Sequence, residues 1–510
     1  MRRRSMLLLV LALATPAEND RYREISVEKL RDKIAGGWAG QMIGVSYGAP
    51  TEFRYLGRII PEEEIPKWTP DRVKNALLQD DLYVDMTLAR VLDEKGLDAT
   101  TEDFGDAFRQ TQYALWHANL AARRNLRRGI PARLAGHPRY NAHANDIDFQ
   151  IEADFVGLMA PGLYQSASQI AWRAGRVMNY GDGIYGGIFV AAMYAAAFFE
   201  NDPRRIVEIG AAALPRQSPY GRLIADVLAW HRQYPEDWRK VWQLIQDRWD
   251  QHDPCPAGAL RPFNIDAKLN GAYIALGLLY GAGDFGRTIE ISTRAGQDSD
   301  CNPASAGGIL GVMLGYQGIP EVWKSGIPAI ADEKFRYTDY SFHSIVESTI
   351  KRALALIERT GGRRQGDKLL VRVQQPRAAK LETWNYGTVS ERIPVSDARW
   401  SFTGPWRTEK DRRIAGEKGA EATIRFQGTG AILVGPYLPE GGKADVYLDG
   451  KLSRTVDVCS DEKAAKGGEA VWHMFGLRPG QHTVRLVVRG EPYGDQKGTD
   501  VALESLIVFR

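Results

Sequence analysis

Two stretches of the chain decide its fold. GWAGQMIGVSYGAPTEF covers Gly37–Phe53, and GQDSDCNPASAGGILGVMLGYQGIPEVW covers Gly296–Trp323. Both regions have a glycine at every fourth position: Gly36, Gly40 and Gly44 in the first, Gly307, Gly311 and Gly315 in the second. Glycine inside a helix costs about 1 kcal/mol relative to alanine, so each stripe needs a packing reason. The spacing predicts two helices in close contact, which brings the two ends of one domain together.

Two acidic pairs lie at predicted helix starts. They are Asp80-Asp81, which follows Gln79, and Asp298 with Asp300, which precedes Cys301. One acid is enough to complement a helix dipole, and adjacent carboxylates repel each other unless a cation neutralises them. Carboxylate oxygens are the hard ligands that Mg²⁺, Mn²⁺ and Ca²⁺ prefer. Spacing alone leaves helix capping and metal binding as open alternatives.

The first residues predict export. Arg2, Arg3 and Arg4 precede a short apolar run that ends in small residues at Ala17, which is the anatomy of a signal peptide over residues 1–17. The run is shorter than the roughly 20 residues that a membrane span needs, and the strongest later run, Ile188–Phe199, fits a buried helix. Lys and Arg number 66 against 63 Asp and Glu, and the three extra charges fall within the signal peptide. The neutral exported chain argues against a nucleic-acid partner, and we expect a secreted or periplasmic protein without a membrane span.

The 510 residues predict a multidomain chain. Apolar residues at helical spacing, such as Val27, Leu30 and Ile34, indicate an all-α domain over residues 18–360. GGRRQGD, residues 361–367, interrupts this pattern and is predicted as a linker. The period then changes to two, and Asp449-Gly450 separates two candidate strands as a hairpin turn. Residues 368–510 therefore predict a small all-β domain of the jelly-roll or sandwich type.

The two quoted stretches and the Asp80-Asp81 pair resemble, in order and spacing, the ADP-ribosylglycohydrolase family over roughly residues 25–350. The resemblance implies an all-α fold around a two-metal Mg²⁺ or Mn²⁺ centre. Its implied ligands are Asp80, Asp81, Asp298 and Asp300. The resemblance also implies that Glu52 lies on a loop that carries a catalytic or metal-bridging carboxylate.

The chain departs from the family pattern at several positions. Gln79 and Cys301 stand where the family usually has threonine, and Val45 stands where it has an acid. Gln79 can still offer a carbonyl oxygen to a metal, whereas a thiol is a soft ligand that suits Mg²⁺ poorly. We therefore expect a divalent cation, Mg²⁺ or Mn²⁺, with Ca²⁺ as the alternative.

DIDFQIEADFVGL, Asp146–Leu158, replaces the family's N-G-A-A-M-R segment. Its acids, Asp146, Asp148, Glu152 and Asp154, either form a solvated helix start or line the pocket. Asp148 and Glu152 are four residues apart and share a helix face, and together with Glu52 they are the predicted acid–base residues. Asp146 and Asp154 are predicted to bind sugar hydroxyls and to repel a pyrophosphate.

Two weaker signals concern substrate binding. Tyr180 and Asp182, in the glycine-containing stretch YGDG, form either a substrate-facing loop or a turn. The C-terminal module resembles the galactose-binding-like modules of exported glycan-processing enzymes. Its aromatic residues are predicted mainly as core side chains: Trp400, Trp406, Tyr437 and Trp472. The module is expected either to bind sugar or to pack on the helical domain and shape its pocket.

These observations predict an exported, metal-dependent glycoside hydrolase that cleaves an N- or O-glycosidic bond of a carbohydrate substrate. Two alternatives stay open at this point. The chain could keep the family's activity as an ADP-ribosyl hydrolase, or it could be a non-catalytic carbohydrate-binding protein. The sequence predicts neither the sugar nor the oligomeric state.

Overall fold

The computed structural model describes residues 22–65, 67–250, 253–462 and 464–510, and the predicted signal peptide lies outside these ranges. The N-terminal domain is helical, as predicted. Its helices are α1 (Val27–Gly48), α2 (Asp80–Lys95), α3 (Thr101–Gln110), α4 (His117–Arg127), α5 (Ala132–Ala135), α6 (Asp148–Ile151), α7 (Asp154–Leu158), α8 (Tyr164–Gly175), α9 (Asp182–Ala197), α10 (Pro203–Ala212), α11 (Pro219–Gln233), α12 (Trp238–Trp249), α13 (Ala267–Gly281), α14 (Phe285–Arg294), α15 (Cys301–Leu314), α16 (Glu321–Lys324) and α17 (Phe342–Arg359). Among the described residues, no helix combines the length and the apolar character that crossing a bilayer requires.

Helices α1 and α15 are antiparallel and their backbones touch. A Cβ atom added at Gly36 would lie 2.2 Å from the carbonyl oxygen of Gly311, and one added at Gly40 would lie 2.1 Å from that of Gly307. The next turn repeats the pattern, with Gly44 against the carbonyl oxygen of Pro303 at 2.1 Å. The predicted contact between the two glycine stripes is confirmed.

Gly315 serves a different purpose from the other glycines of its stripe. It follows the last residue of α15 and has a φ of 79°, which an L side chain rarely adopts. A Cβ atom there would lie 2.1 Å from Oδ2 of Asp32 on α1. Gly315 therefore ends α15, and only Gly307 and Gly311 of the predicted stripe lie within the helix.

The predicted linker, residues 361–367, is part of a β-sheet. Strand β1 (Tyr22–Ser26) pairs antiparallel with β3 (Lys368–Arg372), which also pairs with β2 (Arg363–Gln365). The glycines that suggested a linker belong to a hairpin. Gly361 and Gly362 precede β2, and Gly366 has a φ of 65° in the turn between β2 and β3. The connection to the second domain comes later, in residues 373–388, which run along the helical domain without regular structure.

The C-terminal region, which we call the β-module (residues 389–510), consists of antiparallel sheets. Its strands are β4 (Val389–Pro394), β5 (Ser401–Thr403), β6 (Arg407–Glu409), β7 (Arg412–Ala415), β8 (Glu421–Gly428), β9 (Gly430–Tyr437), β10 (Gly442–Leu448), β11 (Lys451–Asp457), β12 (Lys466–Met474), β13 (Gly480–Pro492), β14 (Val501–Leu503) and β15 (Ser505–Phe509). They form sheets of order β11-β10-β13-β8-β5, β12-β9-β15-β4 and β14-β7-β6. The predicted hairpin at Asp449-Gly450 is confirmed between β10 and β11, with φ values of 50° and 79° at the turn.

The sheet that contains β9 is covered on both faces. Every residue of β9 is buried. Leu433 belongs to the main apolar core of the module, whereas its neighbours Ile432 and Val434 pack with Ala142 and Ala259 of the helical domain. Trp472, Tyr437 and Trp400 are also buried, as predicted for core side chains. The module therefore uses one face of this sheet for its own core and the other to pack on the helical domain.

Arginines on one side of α4 hold the β-module. Arg128 donates from Nε and Nη2 to the two carboxylate oxygens of Asp457, at 2.7 and 2.8 Å, and from Nη1 to Asp461 at 2.9 Å. The Arg124 guanidinium lies 3.5 Å from the ring centroid of Tyr437. These ion pairs are largely buried. Removing one partner would leave the other charge with neither a counter-charge nor water around it, which would destabilise the fold.

We expect Gly40→Ala to lower the free energy of unfolding by about 2 kcal/mol or more. The added methyl group would overlap the Gly307 carbonyl and push the helices apart, and this cost exceeds the gain of about 1 kcal/mol in helix propensity. Urea unfolding followed by far-ultraviolet circular dichroism measures it. Gly480→Ala, whose Cβ would lie 3.9 Å from the nearest atom, is the control. Equal midpoints for the two variants would contradict the backbone contact.

We expect Arg128→Ala to destabilise the protein by about 3 kcal/mol, because it leaves Asp457 and Asp461 partly unpaired at the domain interface. The matched control is Arg205→Ala, whose partner Glu208 forms an exposed pair worth less than about 1 kcal/mol. Thermal unfolding of both variants tests the difference. If the two variants melt alike, the interface charges do not hold the module.

Candidate metal centre and active site

The loops that leave α1 and enter α15 meet and carry the candidate site. The backbone N–H of Phe53 donates to the carbonyl of Gln297 at 3.1 Å, and that of Gln297 donates to the carbonyl of Tyr55 at 3.1 Å. The hydroxyl groups of Thr51 and Ser299 lie 2.9 Å apart. This ladder fixes the loop of Glu52 against the loop of Asp298 and Asp300.

Two sets of possible ligands share Asp300. Carboxylate oxygens of Glu52, Asp298 and Asp300 lie within 4.8 Å of one another, and so do atoms of Asp81, Asp300 and Cys301. The Cys301 sulfur is 3.4 Å from Oδ2 of Asp81. The structure thus brings together Glu52, Asp81, Asp298 and Asp300 from distant parts of the sequence.

Helix capping does not account for these acids. Gln79 and Asp300 occupy the N-cap positions of α2 and α15, and neither side chain makes a capping hydrogen bond. Gln79 and Asp80 are half-buried, and Asp80 lies outside both ligand sets. Its charge nevertheless raises the pKa of Glu52, so its carboxylate faces the same centre.

The carboxylates of the acidic centre lie close to one another. Among the described residues, one oxygen each of Asp81, Asp298 and Asp300 is buried without a hydrogen-bond partner. Burial, followed by the charge of Glu52, raises the pKa of Asp298 to about 8, and burial with the charges of Asp300 and Asp80 raises that of Glu52 to about 8. Glu52 is nonetheless reached by solvent from one side, whereas the aspartates are enclosed. A divalent cation fits this donor set, because it would supply the missing charge to oxygens that lack partners.

The segment that replaces the family motif is buried, so its acids do not form a solvated helix start. Asp148 accepts hydrogen bonds from the backbone N–H groups of Ala118 at 3.2 Å and Asn119 at 2.8 Å. Both oxygens of Asp148 therefore cap the first turn of α4, which is the position that a helix dipole favours for an acid. Asp148 therefore caps α4, and its acid–base role stays a prediction.

Glu152 and Asp154 are both buried but have different hydrogen-bond partners. Glu152 accepts a hydrogen bond from the Asn119 side-chain amide, and its other oxygen has no partner. Burial, then the charges of Asp148 and Asp80, raises the pKa of Glu152. Asp154 is fully buried and accepts a hydrogen bond from the Tyr194 hydroxyl at 2.7 Å. Asp154 is therefore enclosed in the interior, and its sugar-binding role stays a prediction.

Asp146 belongs to a cluster with two histidines. His143 donates from Nδ1 to Oδ2 of Asp146 at 2.8 Å, and Nδ1 of His117 lies 3.5 Å from the same oxygen. On its other side, Nε2 of His143 is 3.6 Å from Glu469 of the β-module. Although burial opposes a charge on His143, the carboxylates of Asp146 and Glu469 prevail and raise its pKa to about 10. The cluster is an ion pair across the domain interface.

Tyr180 and Asp182 lie among basic and aromatic residues. The Tyr180 ring stands edge-on to His137 at 4.8 Å, and Arg176 lies 5.1 Å from its centroid. Asp182 begins α9, and burial raises its pKa to about 7 against the opposing charge of Lys268. The structure places neither residue in the two ligand sets.

His117 is a site residue that the sequence analysis missed. It begins α4 with a φ of 45°, and its ring stacks on Phe263 at a centroid distance of 5.6 Å with 23° between the planes. Phe263 in turn packs on Phe53, next to Glu52, at 4.9 Å. No motif surrounds His117 in the sequence, so only the folded chain shows its place beside the centre.

Comparison with known proteins agrees with this geometry. The family model for ADP-ribosylglycohydrolase matches residues 26–361. Two proteins of Flavonifractor plautii are similar to parts of the chain. An A type blood N-acetyl-alpha-D-galactosamine deacetylase is 31% identical over 122 residues, and an A type blood alpha-D-galactosamine galactosaminidase is 29% identical over 106 residues. These alignments cover 22% and 19% of this chain, but only 15% and 10% of the two relatives. A solved ADP-ribosylglycohydrolase-related protein complex matches 64% of this chain and 99% of its own, with 16% identity and a TM-score of 0.42.

We expect the His143 ion pair to make stability fall with rising pH. The pKa of an ordinary histidine is about 6.5, so below that pH the imidazole is protonated in both the folded and the unfolded chain, and the ion pair contributes fully to stability. Between about pH 6.5 and 10 the unfolded chain loses this proton while the folded chain keeps it, and stability declines by about 1.4 kcal/mol per pH unit. Urea titrations across this range should show a smaller slope for His143→Gln. His343→Gln, a surface substitution, should match the native slope; a native slope in His143→Gln would contradict the ion pair.

Proposed function

Because the chain belongs to the ADP-ribosylglycohydrolase family, we propose that it is an exported, divalent-metal-dependent glycoside hydrolase with a neutral carbohydrate substrate. One observation carries this proposal: Asp81, Asp298 and Asp300 each bury a carboxylate oxygen that has no partner. Export rests on the signal-peptide pattern of residues 1–17. The names of the two partial relatives, both of which concern an aminosugar, support a carbohydrate substrate.

The residues that would hold the cation are Asp81, Asp298 and Asp300, with Glu52 at the rim. When bound, a divalent cation orients vicinal hydroxyl groups and lowers the pKa of a water molecule. Asp300, shared by both ligand sets, couples the two halves of the centre. Cys301 adds a sulfur to the ligand set that contains Asp81, whereas the set that contains Glu52 has only oxygen ligands. The two sets therefore suit different ions.

Glu52 is the carboxyl group placed to exchange a proton with substrate. It is exposed, whereas Asp148 is occupied at the start of α4 and Glu152 is buried. Its exposed side chain can reach a substrate, which a general acid or base must do. We assign Glu52 the proton transfer at the anomeric carbon, while a cation held by the aspartates would orient the sugar.

Family membership favours a second candidate, hydrolysis of an ADP-ribosyl bond. Glu152 weighs against it, because its second oxygen has no hydrogen-bond partner among the described residues and its charge interacts with that of Asp80. Repulsion between a carboxylate and a diphosphate costs on the order of a few kcal/mol at reduced dielectric, and 1.4 kcal/mol is already tenfold in affinity.

Metal content and hydrolysis measured on the same samples test the proposal. We expect the native chain to retain Mg, Mn or Ca and to cleave a neutral aryl glycoside, with activity lost in EDTA and restored by the ion. Asp298→Ala with Asp300→Ala should lose both properties because it removes the oxygens shared by the ligand sets. Asp332→Ala, an exposed acid, is the control.

Two results would count against the proposal. Equal and negligible metal in the native chain and the double variant would refute the metal centre. Release of ADP-ribose, with no cleavage across a panel of neutral aryl glycosides, would favour the second candidate.

A further inference from the structure

A row of aromatic side chains leads away from the acidic centre. We call it the aromatic strip and define it as Phe53, Phe263, His117 and Trp116. Phe53 and Phe263 are 4.9 Å apart between centroids, and Phe263 and His117 are 5.6 Å apart. The strip grows more exposed along its length, since Phe53, Phe263 and His117 are half-buried and Trp116 is 46% exposed. Phe53 and Phe263 pack against the apolar cluster of Cys301, whose sulfur is 3.4 Å from Oδ2 of Asp81, and Trp116 precedes His117 in the chain.

His117 gives the strip a polar group without a net charge. Its Nδ1 faces the Asp146 carboxylate at 3.5 Å, and among the described residues its Nε2 has no hydrogen-bond partner. Burial, the neighbouring His143 and Lys466 lower the pKa of His117 to about 3, so the ring is neutral at physiological pH. A neutral imidazole has one N–H and one acceptor nitrogen, and because Nδ1 faces the Asp146 carboxylate, the ring can present Nε2 as the acceptor.

The β-module completes the end of the strip. Nζ of Lys466 lies 4.2 Å from the centroid of the Trp116 ring and pairs with Glu462 at 3.2 Å. The Glu462 carboxylate also accepts hydrogen bonds from the backbone N–H of Leu115 and from Arg123, both at 2.9 Å. The loop before β12 therefore holds the segment that carries Trp116 and His117, and without the module the strip loses its outer wall.

We propose that Trp116 and His117, with Lys466 of the β-module, bind a second sugar ring next to the ring that occupies the acidic centre. The proposal rests on the proposed function and adds a substrate class, an oligosaccharide or a glycoside with a sugar on each side of the cleaved bond. A half-exposed indole offers a flat apolar face, and Nε2 of His117 accepts a hydrogen bond from a hydroxyl group. Lys466 is already paired with Glu462, so the strip provides contacts for an uncharged ring.

Binding and kinetics on the full chain test the subsite. The probes are a panel of neutral disaccharides, glycosyl fluorides of the matching monosaccharides, and adenosine. Calorimetry in EDTA measures binding without the cation. The variants are Trp116→Ala and His117→Asn, where asparagine tolerates the positive φ, and the matched control is Trp406→Ala, a half-buried tryptophan that packs on Phe402.

We expect both strip variants to weaken disaccharide binding at least tenfold and to raise KM for a disaccharide-linked substrate by a similar factor. KM for the glycosyl fluoride of the same monosaccharide should change less than twofold, because its fluoride leaving group is too small to reach the strip. The control variant should leave both unchanged, and equal thermal midpoints would show that the variants fold.

The outcomes separate this proposal from the proposed function. Cleavage of aryl glycosides with no effect of either strip variant on disaccharides would overturn the subsite and leave the hydrolase proposal intact. Disaccharide binding that depends on Trp116, without any glycoside cleavage, would support the subsite and refute the hydrolase. Adenosine binding that depends on Trp116, with no disaccharide bound, would overturn the sugar subsite in favour of a nucleoside site.

Discussion

The backbone contact between α1 and α15 is the constraint on which the acidic centre depends. Carbonyl oxygens of one helix occupy the space where the other would carry a Cβ atom, so the helices have one register. That register brings the loop of Glu52 against the loop of Asp298 and Asp300. Carboxylates so close together repel one another, and the apolar packing of the two helices opposes that repulsion.

Local patterns were enough to predict much of this centre. The glycine period and the two acidic pairs are each encoded within a few consecutive residues, and the resemblance ordered them along the chain. The partners of Asp148 and Asp154 could not be predicted because they come from other elements. The backbone N–H of Asn119 lies on α4 and the Tyr194 hydroxyl on α9, and helix-face spacing within Asp146–Leu158 carries no information about either.

The same limit applies at the domain boundary. GGRRQGD has the composition of a linker, but its strand β2 pairs with β3, which in turn pairs with β1 at the other end of the helical domain. In β9 the alternation of apolar and polar residues disappears because both faces of the strand are covered. His117 gave no signal at all, since its significance comes from a positive φ and from the rings of Phe263 and His143.

The pairing of β1 with β3 has a consequence for how the chain folds. Tyr22 lies opposite Arg372, and α1 meets α15 only after most of the helical domain has been made. Contacts so distant in sequence require the closure of long loops, which slows folding. Meanwhile the glycines of α1 weaken its tendency to form a helix alone. Because α1 precedes α15 in the chain, it is synthesised before its partner, and its apolar face stays uncovered until α15 follows.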